Sequence, residues 1–229
     1  MIQSGNTTNI IGGQVQGKDV QVDAKALNIE SLQNTANYNS TQQNIEGQVT
    51  VGIETGVSAS GSANKTNINA NYASVQDQAG IYAGDDGYQI NVKNNTDLKG
   101  AIMTSNQLAE TLNKNSLSTG TLTYRDIHNQ TEYDANGRAV SGGVNVKGRW
   151  DGSGKNKEGR PSNSVNKSVG FGLDSDKDSS VTKSGINTQN ITITESIAQQ
   201  ALTRKTTTQS KADIYTTTST ETVKEKGIF

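Results

Sequence analysis

His128 and Asp126 are the first residues to weigh as chemistry. His128 is the only imidazole in the chain. Residues two apart share one face of a strand, so Asp126 would stand beside it as an orienting carboxylate. A general base so placed still needs a nucleophile, and the sequence marks none. The ordinary reading, a surface or turn histidine, is preferred. Asp174-Ser175-Asp176-Lys177-Asp178-Ser179 begins like a calcium loop, with carboxylates at positions one, three and five. Position six is Ser179 where glycine is wanted, and position twelve is Gly185 where a bidentate glutamate is wanted. A solvated acidic turn accounts for it better. Asp85-Asp86-Gly87 is a turn signal rather than a ligand set.

One cluster carries a binding hypothesis. Lys147, Arg149, Trp150, Lys155, Lys157 and Arg160 gather the cations around the only tryptophan. An indole flanked by cations can stack a sugar or a base, or meet an anionic surface. The competing reading is a solubilising hairpin tip.

Composition narrows the chemistry further. The 229 residues contain no Cys, which excludes disulfides, thiolate zinc sites and cysteine nucleophiles. Lys and Arg total 21 against 22 Asp and Glu, so there is no global charge to draw nucleic acid or an anionic membrane. No metal or organic cofactor is expected. The hydrophobic share is 30%, low for a globular core. Charge is also low and balanced, which argues against wholesale disorder. A parallel β-solenoid reconciles the two: its core is a thin stack, and each strand pairs above and below. The start, Met1 to Asn6, has neither a basic region nor an apolar run, so no export signal is expected in this chain.

The elements that would position these residues are strands. Val20, Val22 and Ala24 alternate, as do Ile90 and Val92, and Ile191 and Ile193. Leu117–Leu122 reads as another strand. Two longer alternations, Ile45 towards Ala59 and Val140–Val146 with Val165–Leu173, are rich in glycine and predict hairpins leaving the stack. Thr194–Leu202 predicts a short helix with Thr194 as its N-cap, and residues 105–112 a weaker one. An internal repeat links Leu27, Leu32, Asn34 and Tyr38 with Leu122, Ile127, Asn129 and Tyr133, 95 residues on. Gly80-Ile81 with Ile90-Asn91-Val92 returns as Gly185-Ile186 with Ile191-Thr192-Ile193. These readings predict an all-β chain: a right-handed parallel β-helix (solenoid) with two protruding hairpin-like excursions and a short C-terminal helix. Residues 1–104 and 105–203 would be two modules, and 204–229 a loosely ordered exit segment.

Several blocks, in order, resemble a known family. Leu27-Asn28-Ile29-Glu30-Ser31-Leu32-Gln33-Asn34, Asn69-Ala70-Asn71-Tyr72-Ala73-Ser74-Val75, Ala79-Gly80-Ile81-Tyr82-Ala83-Gly84 and Leu117-Ser118-Thr119-Gly120-Thr121-Leu122-Thr123-Tyr124 look like haemagglutinin repeats of filamentous-haemagglutinin-like exoproteins. The likeness runs over roughly residues 13 to 215. It implies two-partner secretion through an outer-membrane transporter and a β-helical rod at the cell surface. It also implies a part in adhesion and toxin delivery in contact-dependent growth inhibition. The expected partners are that transporter and the surface of a neighbouring bacterium, with outer-membrane contact and end-to-end self-association of cut coils as further contacts, and no nucleic acid. Such a segment is not an enzyme. The alternatives are a β-helical polysaccharide lyase or hydrolase, which needs clustered carboxylates or cations on one face, and a truncated remnant without its own role.

Overall fold

The structure, a computed structural model, describes residues 1–52, 56–147 and 162–217. Alternation sets the strands. In β2 (Gln14–Glu30) Val20, Val22 and Ala24 turn inward at every second position while Gln21, Asp23 and Lys25 face out, and β1 (Ile2–Ile11) turns Ile2, Ser4, Thr8 and Ile10 inward and leaves Ile11 exposed. The alternation returns over Tyr88–Val92 in β5 (Gly80–Lys99), β7 (Ser116–Arg125) buries Thr119 and Thr121 along with Leu117 and Leu122, and the short strands β6 (Ile102–Ser105), β10 (Gly185–Ile186) and β11 (Ile191–Ile193) join them. Four more strands, β3 (Asn34–Gly52), β4 (Gly56–Ser74), β8 (Ile127–Lys147) and β9 (Ser162–Thr182), form a second sheet. Among the described residues there are three short helices: α1 (Gln107–Thr111), α2 (Ser196–Thr203) and α3 (Thr207–Ile214). The described chain is mostly β, as expected.

The chain divides into two compact units. Unit 1 holds residues 1–34, 73–130 and 179–217 of those described. Unit 2 holds 35–52, 56–72, 131–147 and 162–178.

In unit 1 the paired strands run parallel and in register. Ile2 pairs with Val22, Val22 with Ile90, Ile90 with Leu117, and Leu117 with Ile191. A second row joins Ile10, Ile29, Leu98 and Tyr124. A third joins Val15, Ile81, Met103 and Ile186. β2 has 17 residues and β5 has 20. Both pass through two register shifts, at Gly17/Asp19 and Ala24/Leu27 on β2, which break each ladder into three straight pieces. The rows enclose one apolar seam that includes Val22, Leu27, Ile29, Ile81, Tyr88, Ile90, Leu98, Leu117 and Leu122, all buried. Outside, polar side chains climb from strand to strand: Asn28 Nδ2 donates to Asn9 Oδ1 at 2.9 Å, and Thr123 Oγ1 to Asp97 Oδ1 at 2.6 Å. A 30% hydrophobic chain therefore suffices, because only one side of each strand needs apolar residues.

The repeat seen in the sequence has a structural counterpart. Leu27 and Leu122 stand in one row with Thr96 between them, and Ile29 and Tyr124 in another with Leu98 between them. Residues 95 apart are two layers apart.

In unit 2 the two alternating stretches come together. They join into one four-stranded sheet, ordered β3-β4-β8-β9. The neighbours show antiparallel pairing throughout. Gly61 lies against Glu46, and Asn44 N–H donates to Asn64 Oδ1. Gly137 faces both Thr66 and Gly172, and Ser141 bonds Ser168 across 2.5 Å. The join between β4 and β8 connects segments far apart in sequence, so no local pattern announces it.

The helices also depart in detail. α2 is the predicted short helix, but Glu195 is its N-cap and no side chain caps it. Thr194 is held elsewhere, its N–H donating to Thr119 O at 2.9 Å in continuation of the β11–β7 ladder. Within the stretch expected as an exit segment, α3 opens on a capping box: Gln209 N–H donates to Thr206 Oγ1, and Thr206 N–H to Gln209 Oε1.

Candidate interaction surface

The structure places the candidate residues as follows. His128 is exposed on β8, and its backbone carbonyl accepts from Gln33 Nε2 at 2.8 Å. Asp126 does not orient the imidazole. Its Oδ1 accepts from the Ser184 N–H at 2.8 Å, where the chain re-enters unit 1 after β9. The corresponding residue of the first copy, Ser31, accepts from the Ala79 N–H at 2.8 Å. In each copy the residue at which the chain leaves the layer clasps the residue at which it returns. Asp126 is thus a clasp and not half of a catalytic dyad.

Asp174, Asp176 and Asp178 belong to the extended strand β9 and not to a loop or turn. They alternate along it, so they cannot wrap a cation as an EF-type loop does. Lys147 is the last residue of β8. Its side chain, and the whole of Arg149, Trp150, Lys155, Lys157 and Arg160, lie outside the described residues.

Asp85-Asp86-Gly87 is a corner within β5, with Gly87 at φ +76°. A Cβ there would meet Asn115 Oδ1 at 2.6 Å, so the left-handed backbone and the crowding both select glycine. Asp86 is gripped by Lys18 at 3.0 Å and Lys114 at 3.2 Å. Those bonds, Lys18 first, hold its carboxyl below the usual aspartate range. All three groups are solvent-exposed, so the corner is a modest tie between layers.

The most concentrated set of titratable groups is Tyr124, Lys205 and Asp213. Lys205 Nζ lies 2.7 Å from Asp213 Oδ2 and 3.2 Å from the Tyr124 hydroxyl, 5.2 Å over the Tyr124 ring. The Tyr124 O–H donates to Asp213 Oδ2 at 3.2 Å. A shallow cleft of about 390 Å³ adjoins them, lined by Tyr124, Arg125, Asp126, Lys183, Ser184 and Asp213. The hydrogen bond to Asp213 raises the Lys205 pKa, and the bond from Lys205 lowers that of Asp213. Burial raises that of Tyr124. Catalysis near neutral pH needs these shifts in the opposite sense, with lysine pulled down and carboxylate pushed up. The cluster fastens α3 to β7.

Chemistry therefore recedes and surface remains. Unit 2 is exposed along nearly all of β3 and β9, including Ile45, Val49, Val51, Val165, Val169, Phe171 and Leu173. Among the described residues no helix is long and apolar enough to cross a membrane. Among the described residues the features that remain are an in-register parallel stack in unit 1 and an amphipathic sheet in unit 2.

Comparison with known proteins agrees. A family model described as hemagglutinin repeat matches residues 1–45. The chain is 44% identical over 137 residues to a tRNA nuclease CdiA of Yersinia mollaretii, covering 58% of this chain and 4% of that protein. It is 42% identical over 147 residues to a Toxin CdiA of Escherichia coli, covering 62% and 5%. A Deoxyribonuclease CdiA of Yersinia pseudotuberculosis is 35% identical over 134 residues, covering 58% and 12%. No solved structure matches. The chain is a haemagglutinin-repeat segment of the kind carried by the CdiA exoproteins of contact-dependent growth inhibition and two-partner secretion. It spans a small fraction, 4% to 12%, of these relatives' length.

Proposed function

We propose that this chain is a non-enzymatic rod segment of a bacterial surface exoprotein, supporting adhesion to a neighbouring bacterium and toxin delivery into it. The carrying observation is the parallel register of unit 1, kept from strand to strand on either side of the bulges. Ile2, Val22, Ile90, Leu117 and Ile191 are successive partners although up to 74 residues separate neighbours in the row. Such rows are what a right-handed parallel β-helix of stacked coils produces, rising ~4.8 Å per coil. Residues 1–104 and 105–203 are then two stacked modules, and 204–229 the exit. Each strand satisfies its backbone on the coils above and below, so the stack is stiff along its axis and needs few apolar residues. Its outer surface of Asn, Thr, Gln and Lys suits an extended stalk.

Within the whole exoprotein the segment works at the cell surface or in secreted form. The outer-membrane two-partner-secretion transporter would export it, and a second bacterial surface would receive it. Lys147, Arg149, Trp150, Lys155, Lys157 and Arg160 are its proposed contact tip towards an anionic surface, with outer-membrane contact and end-to-end association as further interactions. The nuclease names belong to relatives whose length lies almost wholly outside this match.

The test is made in the complete exoprotein on living inhibitor cells. Deleting residues 1–203 should leave export intact, read by surface labelling of an upstream epitope, while killing of co-cultured target cells falls at least tenfold. Undiminished killing contradicts a delivery role. Turnover of acidic polysaccharide by the isolated chain contradicts the non-enzymatic assignment.

A further inference from the structure

The four-stranded sheet of unit 2 has two unlike faces. The pairings above put Gly47 opposite Gly61, Gly61 opposite Gly142, and Gly142 opposite Lys167. These four form a row across the sheet. On one side lies the row Val49, Ala59, Val144 and Val165, and beyond it Val51, Val57 and Val146. On the other side lies Ile45, Ala63, Val140 and Val169. The opposite face presents Ser58, Ser60, Ser62, Ser141, Asn145, Asn166 and Ser168. Alternation thus produces an apolar face whose centre is a glycine trough between two ridges of branched side chains. The trough appears as a depression lined by Gly47, Gly61, Gly142, Val49, Val144 and Val165, among others. The face is open: Ile45 is 86% exposed, Val49 71%, Val51 73% and Val165 64%.

We infer that this face packs against the same face of a second copy of the chain. Four strands at ~4.8 Å and the length from Ile45 to Val51 give an apolar patch of about 400 Å². That is the size of the largest patches on soluble monomers, which are often functional. Two such faces bury about 800 Å² in total, the scale of a weak, transient interface. The shape supplies the self-complementarity. Rows on one face of a strand lie two residues, or roughly 7 Å, apart. A two-fold axis running along the trough edge lays the Val49–Ala59–Val144–Val165 ridge of one copy into the glycine trough of the other, and the reverse. The result is an isologous, aligned sheet sandwich, closed at two copies. The charge pattern agrees. The only ionised residue within the four rows named is Lys167, on the edge strand β9, where its stem can lie over the trough end and its ammonium reach the rim. This association is lateral, through unit 2, and independent of the rod assignment and of any end-to-end contact of unit 1.

The experiment is sedimentation equilibrium of the full chain from about 10 μM to 1 mM, with and without Val49→Lys/Val144→Lys. The wild type should pass from 24.2 kDa towards twice that mass. The double variant should stay at the monomer mass, with Ser58→Lys/Asn145→Lys on the polar face still dimerising. The absence of native cysteine permits a check that does not depend on a lysine variant folding. Val144→Cys should be joined into covalent dimers by a short bismaleimide, and Asn145→Cys should not. A wild type monomeric at 1 mM overturns the inference, including one that binds phospholipid vesicles instead. So does a dimer that persists in the Val49→Lys/Val144→Lys variant.

Discussion

Gln199→Leu is expected to destabilise unit 1 by about 2–5 kcal/mol, the cost of leaving two buried backbone groups without partners. The Gln199 side chain is fully buried in α2. Its Oε1 accepts from the Leu122 N–H at 2.7 Å, and its Nε2 donates to the Leu122 carbonyl at 2.8 Å. The same amide reaches Ser210 Oγ at 3.0 Å, tying α3 to α2. One side-chain amide thereby stands in for the peptide group of a further strand above β7. β11 supplies that ladder only as far as Ile193, with Thr194 and Glu195 N–H groups reaching Thr119 and Gly120. Past that point Gln199 takes over. Leucine fills the space but can neither donate nor accept. The readout is the denaturant midpoint at unchanged m-value, together with faster hydrogen exchange at the Leu122 amide. Exposed Gln200→Leu should move the midpoint little. An unmoved midpoint in Gln199→Leu would show that α2 does not seal this end of the stack.

Gly120→Ala should cost about 3 kcal/mol, at the upper end of overpacking. Gly120 is buried in β7 at the corner where the β5–β7 register shifts. An added Cβ would stand 2.5 Å from Asn94 O and 2.8 Å from Lys93 O, both backbone atoms of the adjacent layer. Backbone cannot swing aside as a side-chain tip can, so the two layers must part. Gly172→Ala, with open space around its Cβ, is the matched control. Thermal melts that treat the two alike would mean that the corner is looser than the packing indicates.

How much of this was legible in the sequence depends on range. Alternation in Val20-Val22-Ala24 and Ile90-Val92 is local, and it located strands and their inward faces correctly. The 95-residue likeness between Leu27–Tyr38 and Leu122–Tyr133 reported a real equivalence of layers. The intermediate layer is silent in the sequence because Thr96 stands where both copies have leucine, and Ala101, Met103 and Gln107 stand where they have Leu or Ile, Asn and Tyr. The full length of β2 and β5 is not written in the alternation, because a bulge bends a ladder without ending it. The fusion of both hairpins into one sheet depends on β4 meeting β8, a pairing written in no short window. Among candidate chemical residues, Asp126 was singled out for its distance from His128. Its actual role was available in the repeat, where it occupies the place of Ser31.

The central claim is that unit 1 is a parallel stack of coils. It is tested most directly by spin-label distances on one outward row. Asp23, Asn91, Ser118 and Thr192 are successive partners in β2, β5, β7 and β11. Cysteines can be introduced pairwise, since the chain has none. At one strand spacing per layer, the labelled Asp23/Asn91 pair should show strong dipolar broadening at ~5 Å backbone separation, and Asp23/Thr192 a separation near ~14 Å. Distances beyond about 25 Å for either pair, or no dipolar coupling at all, would contradict the stack.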